Sequence, residues 1–190
     1  MSSYAPLWCK SNGSFLEGAS TPEELVETAH ALGLPGLALC DRDGLYGMVS
    51  AHVRAQELGF HLVVGAQVTL MNGGILVLLV MDQGGYRNLC RLITQGRLRS
   101  PKGQSRVTVQ EVCHYAGGLI ALLPELDELH IPYWVEAFQD RLYAMVLRHR
   151  RAQEHAIEAV LRERCRIWKI PLVACHEVLY HHPGRRPLQD

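Results

Sequence analysis

A strand signal at Leu7-Trp8-Cys9 runs into a polar loop that carries Lys10, Ser11, Asn12, Gly13, Ser14, Glu17 and Ser20. Loops at the carboxyl ends of strands are where α/β proteins usually place their chemistry. As a catalytic set these side chains are poor: one ammonium, one carboxylate and three hydroxyls, with no imidazole among them. Ser11 and Ser14 have no His and Asp partners at readable spacing, which argues against a serine hydrolase. The six cysteines (Cys9, Cys40, Cys90, Cys113, Cys165, Cys175) form no C-x-x-C pair and mostly sit in apolar runs. They read as buried, reduced thiols of a cytoplasmic protein. Arg87, Arg91, Arg97, Arg99, Lys102 and Arg106 make a basic stretch broken by Ser100-Pro101 and Gly103. It reads as a solvated helix face and a mobile loop, with contact to phosphate or to a partner domain as the competing reading. Arg148-His149-Arg150-Arg151 precedes a helix, at the end where cations are unfavourable, and reads as solvated surface.

The elements that must position these residues alternate between strand and helix. Thr21 can cap a helix that has Pro22 in its first turn and Glu23-Glu24 near its positive end, with Gly33 as its stop. Gly36 to Cys40 reads as a buried strand, Asp41-Arg42-Asp43-Gly44 as a loop, and Tyr46 to Leu58 as a helix closed by Gly59. Leu62 to Leu70 and Ile75 to Val80 are strands around an Asn72-Gly73-Gly74 turn. Helices follow at Gly85 to Arg97 and Thr108 to Tyr115, then a strand at Leu119 to Leu123. Tyr133 to Phe138 is a weak helix in which Trp134 and Phe138 share a core-facing side. Leu142 to Leu147 is a strand, Ala152 to Trp168 a long helix, and Leu172 to Cys175 the last strand. Pro183-Gly184 closes a polar loop, and Asp190 ends a segment with nothing to tie it down, as a truncated domain would.

A chain of 190 residues suffices for one ordinary core. Hydrophobic content of 48% and charged content of 20% are globular values, and zero formal charge predicts no sequence-independent grip on nucleic acid or anionic lipid. The longest apolar run, Ile75 to Met81, is too short to span a bilayer. Strands followed by helices imply right-handed crossovers and a largely parallel sheet, and about seven such units favour an irregular barrel.

Several stretches together carry a resemblance to a known family. They are Leu7 to Asn12 with Ser14 to Ser20, Pro22 to Val26, Ala38 to Gly47, Val64 to Leu70, Gly85 to Thr94, Gly118 to Leu122, and Arg185 to Asp190. In this order they resemble the N-terminal PHP (polymerase and histidinol phosphatase) domain of bacterial C-family DNA polymerase alpha subunits, nearest to the error-prone, damage-inducible branch. The resemblance runs along essentially the whole chain. It implies a distorted (β/α)7 barrel, residues 1–190 forming one PHP domain at the front of a much longer polymerase.

Metal-dependent members of that family hold up to three ions at the strand ends, where the metals generate hydroxide and neutralise a phosphate ester. Matched to those motifs, Trp8 and Lys10 stand where a His-x-His pair is expected. Indole cannot bind a metal and an ammonium repels one. Arg42 stands for a His, Gln67 for a Glu, Ile75 for a His, and Leu179 for the His of an Asp-x-His motif. Glu17, Asp41 and Glu177 keep a charged oxygen, a set suited at most to weak Mg²⁺ or Mn²⁺ binding. His176, His181 and His182 lie near enough in sequence to compensate. Otherwise Lys10 or Arg42 pairs with Asp41, Glu17 or Glu177 and replaces the metal structurally. Gly13 stands where error-prone relatives carry an aromatic residue, which predicts a looser loop.

The resemblance implies a domain with no catalytic residue and no cofactor of its own. The parent would be a Mg²⁺-dependent nucleotidyltransferase acting past DNA lesions in the cytoplasm. Its partners would be the other polymerase domains of the chain, DNA through the parent, accessory mutagenesis proteins and a sliding clamp, with Arg87, Arg91, Arg97 and Lys102 as phosphate or partner contacts and no membrane. The rivals are a residual metal-dependent phosphoesterase or 3′-5′ exonuclease, and a free-standing adaptor.

Overall fold

The structure is a computed structural model that describes residues 4–148 and 154–189. His149, Arg150, Arg151 and Ala152, and the chain end at Asp190, lie outside the described residues. In chain order the elements are α1 (Pro22–Ala31), β1 (Leu37–Arg42), α2 (Met48–Leu58), β2 (Leu62–Thr69), β3 (Ile75–Val80), α3 (Gln83–Arg99) and α4 (Val109–His114). They continue with β4 (Leu119–Leu123), α5 (Ile131–Phe138), β5 (Leu142–Val146), α6 (Glu154–Trp168), β6 (Leu172–Ala174) and the short α7 (Arg186–Gln189). These group into two compact units, one of residues up to Gln67 together with those from His176 onward, the other running from Val68 to Cys175.

In the first unit, β1 and β2 pair in parallel from Leu37↔Leu62 to Arg42↔Gln67. The strand expected at Leu7-Trp8-Cys9 is reduced to bridges at Cys9, which pairs in parallel with both Leu39 and Val178. The chain reaches this position with its polar loop already beginning, so the ladder is confined to Cys9. The backbone bonds are Cys9 N to the Ala38 carbonyl (3.1 Å), Val178 N to the Trp8 carbonyl (2.8 Å) and Lys10 N to the Val178 carbonyl (2.9 Å). Asp41 and Arg42, expected in a loop, are the last residues of β1, because β2 continues far enough to pair with them. Thr21 and Glu24 form a reciprocal capping box at the start of α1. Leu25, Val26 and Ala29 of α1 pack with Met48, Ala51 and Ala55 of α2 and with Leu37 and Leu39 of β1. Gly59 ends α2 in the left-handed conformation at φ 62°.

The C-terminal segment is tied down, against expectation. Pro183–Arg185 forms a 3-10 turn leading into α7. Arg185 pairs with Glu24, and His181 exchanges hydrogen bonds with Ser20, its amide donating to Oγ at 2.9 Å and its Nδ1 lying 2.8 Å away. The Arg185 and His181 charges, with the Thr21 amide as the first cause, hold the Glu24 carboxyl below its usual range.

In the second unit β4 pairs with β3 antiparallel and with β5 in parallel, and β6 extends β5 in parallel. The sheet is therefore mixed here, where periodicity predicts parallel strands. Its core is apolar: Leu76, Leu78, Leu89, Leu92, Leu119, Ile131, Phe138, Leu142 and Met145 are all buried. Trp134 and Phe138 are buried with ring centroids 6.4 Å apart, as their shared helix face predicts. All six cysteines are free, four of them buried.

Thr108 and Glu111 form a second capping box, and Arg99 grips the Glu111 carboxylate from the end of α3. The Arg99 guanidinium, helped by the Thr108 amide, lowers the Glu111 pKa from 4.5 to about 2. Because the folded value lies below the unfolded one, this pairing stabilises fully above about pH 4.5 and is lost as pH falls towards 2. Denaturant titrations across that window should show wild type losing stability more steeply than Glu111→Gln, with the two curves converging at the acid end.

Candidate functional site

The site lies within the first unit and begins where Cys9 is pinned between β1 and Val178. That register brings Lys10 next to the chain carrying Glu177. The loop then turns back on itself: Ser14 N donates to the Ser11 carbonyl (2.9 Å), and Glu17 N (2.9 Å) and Gly18 N (3.0 Å) donate to the Ser14 carbonyl. Leu16 takes up the left-handed region at φ 67° within this turn. Gly18 must be glycine, since a Cβ there would stand 2.1 Å from the Ser11 carbonyl oxygen. The turn swings Glu17 back over Lys10.

The Lys10 ammonium is 2.5 Å from Glu17 Oε2 and 2.5 Å from Glu177 Oε1. Its side chain is only 4% exposed, whereas the two glutamates keep 25% and 29%. Lys10 Nζ also lies 5.4 Å from the Trp8 ring centroid, within cation–π range. Arg42, more exposed, pairs with the other oxygen of Glu17. Two cations and two carboxylates thus cancel one another in a partly dry pocket.

Asp41 is satisfied differently. Oδ1 accepts from the Ser11 amide (2.8 Å) and from Ser14 Oγ (2.8 Å). Oδ2 accepts from Ser11 Oγ (2.8 Å) and from the Gly47 amide (3.3 Å). A carboxylate offers about four acceptor directions, and these four donors fill them. Ser14 Oγ in turn accepts from the Arg42 amide (2.9 Å), and Ser11 Oγ from the Gly13 amide (3.0 Å). Gly13 is not a loose point: its amide is held, and a Cβ there would come within 2.9 Å of Tyr46 Cβ.

Of the residues singled out in sequence, Trp8, Lys10, Glu17, Arg42 and Glu177 are brought together, while Asp41 takes hydroxyl and amide donors. Leu179 contributes its carbonyl, which accepts from the Ala19 amide (2.8 Å). His181 serves Ser20 and Glu24, and exposed His182 caps Gly184. Gln67 is buried, and among the described residues its Oε1 and the Trp8 indole nitrogen have no hydrogen-bond partner. Ile75 opens β3 and belongs to the second unit, half-buried. Arg87 and Arg91 are exposed one turn apart on α3, Arg97 is partly buried, and Lys102 is exposed beyond the helix. Sequence reasoning missed Ser11 and Ser14 as partners of Asp41. The available signal was two hydroxyls three residues apart in a loop facing an aspartate at a strand end.

The carboxylates of this site are already engaged. Glu17 and Glu177 already share an ammonium, Asp41 has no free lone pair, and the orphaned Gln67 oxygen is one neutral acceptor. Among the described residues no three His, Cys, Asp or Glu side chains are grouped to hold a metal ion.

The PHP domain family profile matches residues 7–164. The chain belongs to the PHP domain family. Among curated relatives, an error-prone DNA polymerase of Pseudomonas aeruginosa is 41% identical over 192 aligned residues, covering 100% of this PHP domain and 19% of the polymerase. One from Rhodopirellula baltica is 34% identical over 204 aligned residues, covering 98% and 18%. The PHP domain therefore spans less than a fifth of the length of the relatives it matches. Solved structures share its fold: a candidate metal-dependent phosphoesterase of Bifidobacterium adolescentis superposes with a TM-score of 0.68 at 15% identity, covering 97% of this chain and 90% of its own. An amidohydrolase of Chromobacterium violaceum gives 0.61 at 16%, covering 95% and 88%. The α/β fold expected of a distorted PHP barrel is thus the fold of this chain.

Replacing Lys10 by Met should leave Glu17 and Glu177 facing each other without their shared cation. The loss in unfolding free energy should be roughly 2–3 kcal/mol, below the fully buried range because both glutamates keep some water. Lys10→Met combined with Glu17→Gln and Glu177→Gln should recover most of it, as read by urea denaturation of the four variants of the cycle.

Proposed function

We propose that this PHP domain is a non-catalytic brace within an error-prone DNA polymerase that copies past lesions after DNA damage. One observation carries the reading: the Lys10 ammonium stands between Glu17 and Glu177, so a fixed cation does the charge balancing that metal ions do in metal-dependent relatives. A site neutralised in this way has no water-activating group and no open coordination position, which hydrolysis of a phosphate ester requires.

In this proposal the nucleotidyl transfer belongs to the rest of the polypeptide, with its own Mg²⁺, and DNA is engaged there. The similarity to much longer polymerases supports this, since they carry the remaining domains in the same chain. Arg87, Arg91 and Lys102 offer exposed cations to a phosphate backbone or an acidic neighbour. Accessory mutagenesis proteins and a sliding clamp fit as partners of such a polymerase. No described helix is long and apolar enough to cross a membrane, and free, mostly buried thiols accord with the cytoplasm.

The test is elemental analysis of the purified protein, then hydrolysis of p-nitrophenyl phosphate and of 3′-labelled single-stranded DNA with added Mn²⁺. No stoichiometric metal and no hydrolysis above an Asp41→Ala control is the expected result. Bound metal with hydrolysis abolished by Glu17→Gln or Glu177→Gln would overturn the reading in favour of a residual phosphoesterase or exonuclease. An open reading frame ending at codon 190 would favour a free-standing adaptor instead.

A further inference from the structure

Of the 15 residues of α6 only Cys165 is buried. The charged positions of this helix look after one another: Glu158 takes Arg148 and Arg162, and Glu163 takes Arg166. Pairs three and four residues apart support a helix that has little tertiary packing. The apolar positions have no such provision. Ile157, Val160, Ile167 and Trp168, with Arg164 among them, fall at i, i+3, i+10, i+11 and i+7, a single seam in heptad spacing. Ile157 is 65% exposed, Val160 53%, Ile167 61% and Trp168 37%.

Beside the seam lies a groove of about 470 Å³ whose walls include Pro124, Leu126, Ile157, Val160, Leu161 and Arg164. Arg164 is tied to the opposite wall, donating to the Leu126 carbonyl (2.7 Å) and pairing with Glu128 (2.8 Å). Its charge is met within the chain, so the seam presents apolar surface flanked by balanced ion pairs. Such a surface has nothing to hold nucleic acid or an anionic bilayer, and an exposed apolar stripe of this extent marks a protein contact.

We propose that a helix from the remaining polymerase polypeptide packs along this seam, with its own apolar stripe in the groove between α6 and the Pro124–Asp127 segment. This rests on the reading of the chain as the PHP domain of a longer polymerase. The relatives devote more than four-fifths of their length to other regions. A segment of the same chain reaches the seam at high effective concentration. A second copy of this chain is the competing occupant, at a lower effective concentration than a segment of the same chain, and the sedimentation measurement below separates the two.

The experiment is hydroxyl-radical footprinting of the whole polypeptide, with labelling of Ile157, Val160 and Ile167 compared with the urea-unfolded chain. A bare seam gives about half the unfolded labelling, as the exposures imply, whereas a covered one gives under about a tenth. Val160→Glu with Ile167→Glu should return Ile157 and Trp168 to the bare level and shorten the half-life of polymerase activity on heating. Bare-level labelling in an active, monomeric wild-type polymerase would overturn the proposal and leave the bracing role standing. Protection lost on dilution, together with a dimer-to-monomer change in sedimentation, would overturn it in favour of a second copy. A whole polypeptide without template-directed synthesis would instead remove the polymerase reading, and this proposal with it.

Discussion

The ammonium of Lys10 is the constraint that the first unit is arranged around. Desolvating an ammonium costs several kcal/mol, and only closely placed counter-charge offsets it. Glu17 supplies half of that charge from the same loop and Glu177 the other half from far along the chain. The two contacts fix different things. Glu17 reaches Lys10 only if residues 11 to 18 turn tightly, which the Gly18 approach and the left-handed Leu16 permit. Glu177 reaches it only if Val178 lies beside Cys9, which the parallel bridge provides. The charge cluster and the backbone register therefore enforce each other.

Asp41 shows the same need met by other means. It ends a buried strand and is itself buried, so its charge must be stabilised locally. Hydroxyls and amides do this without a cation, and in doing so they pin the Ser11–Ser14 turn and the entry to α2 to the end of β1. Gly47 lets that entry come close, since a Cβ there would meet Pro22 Cγ at 2.5 Å. Two cations and two serines thus hold three carboxylates in the first unit, Glu17 and Glu177 by counter-charge and Asp41 by hydrogen bonds.

The second unit separates its core from its surface in an uneven way. The strands and α3, α4 and α5 bury a dense set of leucines, valines and aromatics. In α6 intrahelical and neighbouring ion pairs stand in for packing. Surface pairs of that kind contribute little individually, which makes the exposed isoleucines of the same helix harder to explain as mere decoration.

Most elements were legible in the sequence because their signals are local. Thr21 with Glu24 and Thr108 with Glu111 announce helix starts, Gly59 announces a stop, and Ile75 to Val80 is a strand by composition and flanking turn residues. The charged residues that make up the site were legible too, since Lys10, Glu17, Arg42 and Glu177 stand out in the sequence as cations and carboxylates near strand ends. What spacing could not give were relations across long stretches of chain. Lys10 and Glu177 are partners only because of a bridge register, Cys9 against Val178, that no periodicity encodes. The strand at residues 7–9 shrank to that bridge, and the polar tail gained a helix through Arg185 and Glu24, for the same reason. The sequence thus determined which charges the site would contain. Tertiary structure alone decided which of them would meet, because a buried charge settles on whatever counter-charge the fold delivers within about 3–4 Å, however far away it lies in the chain.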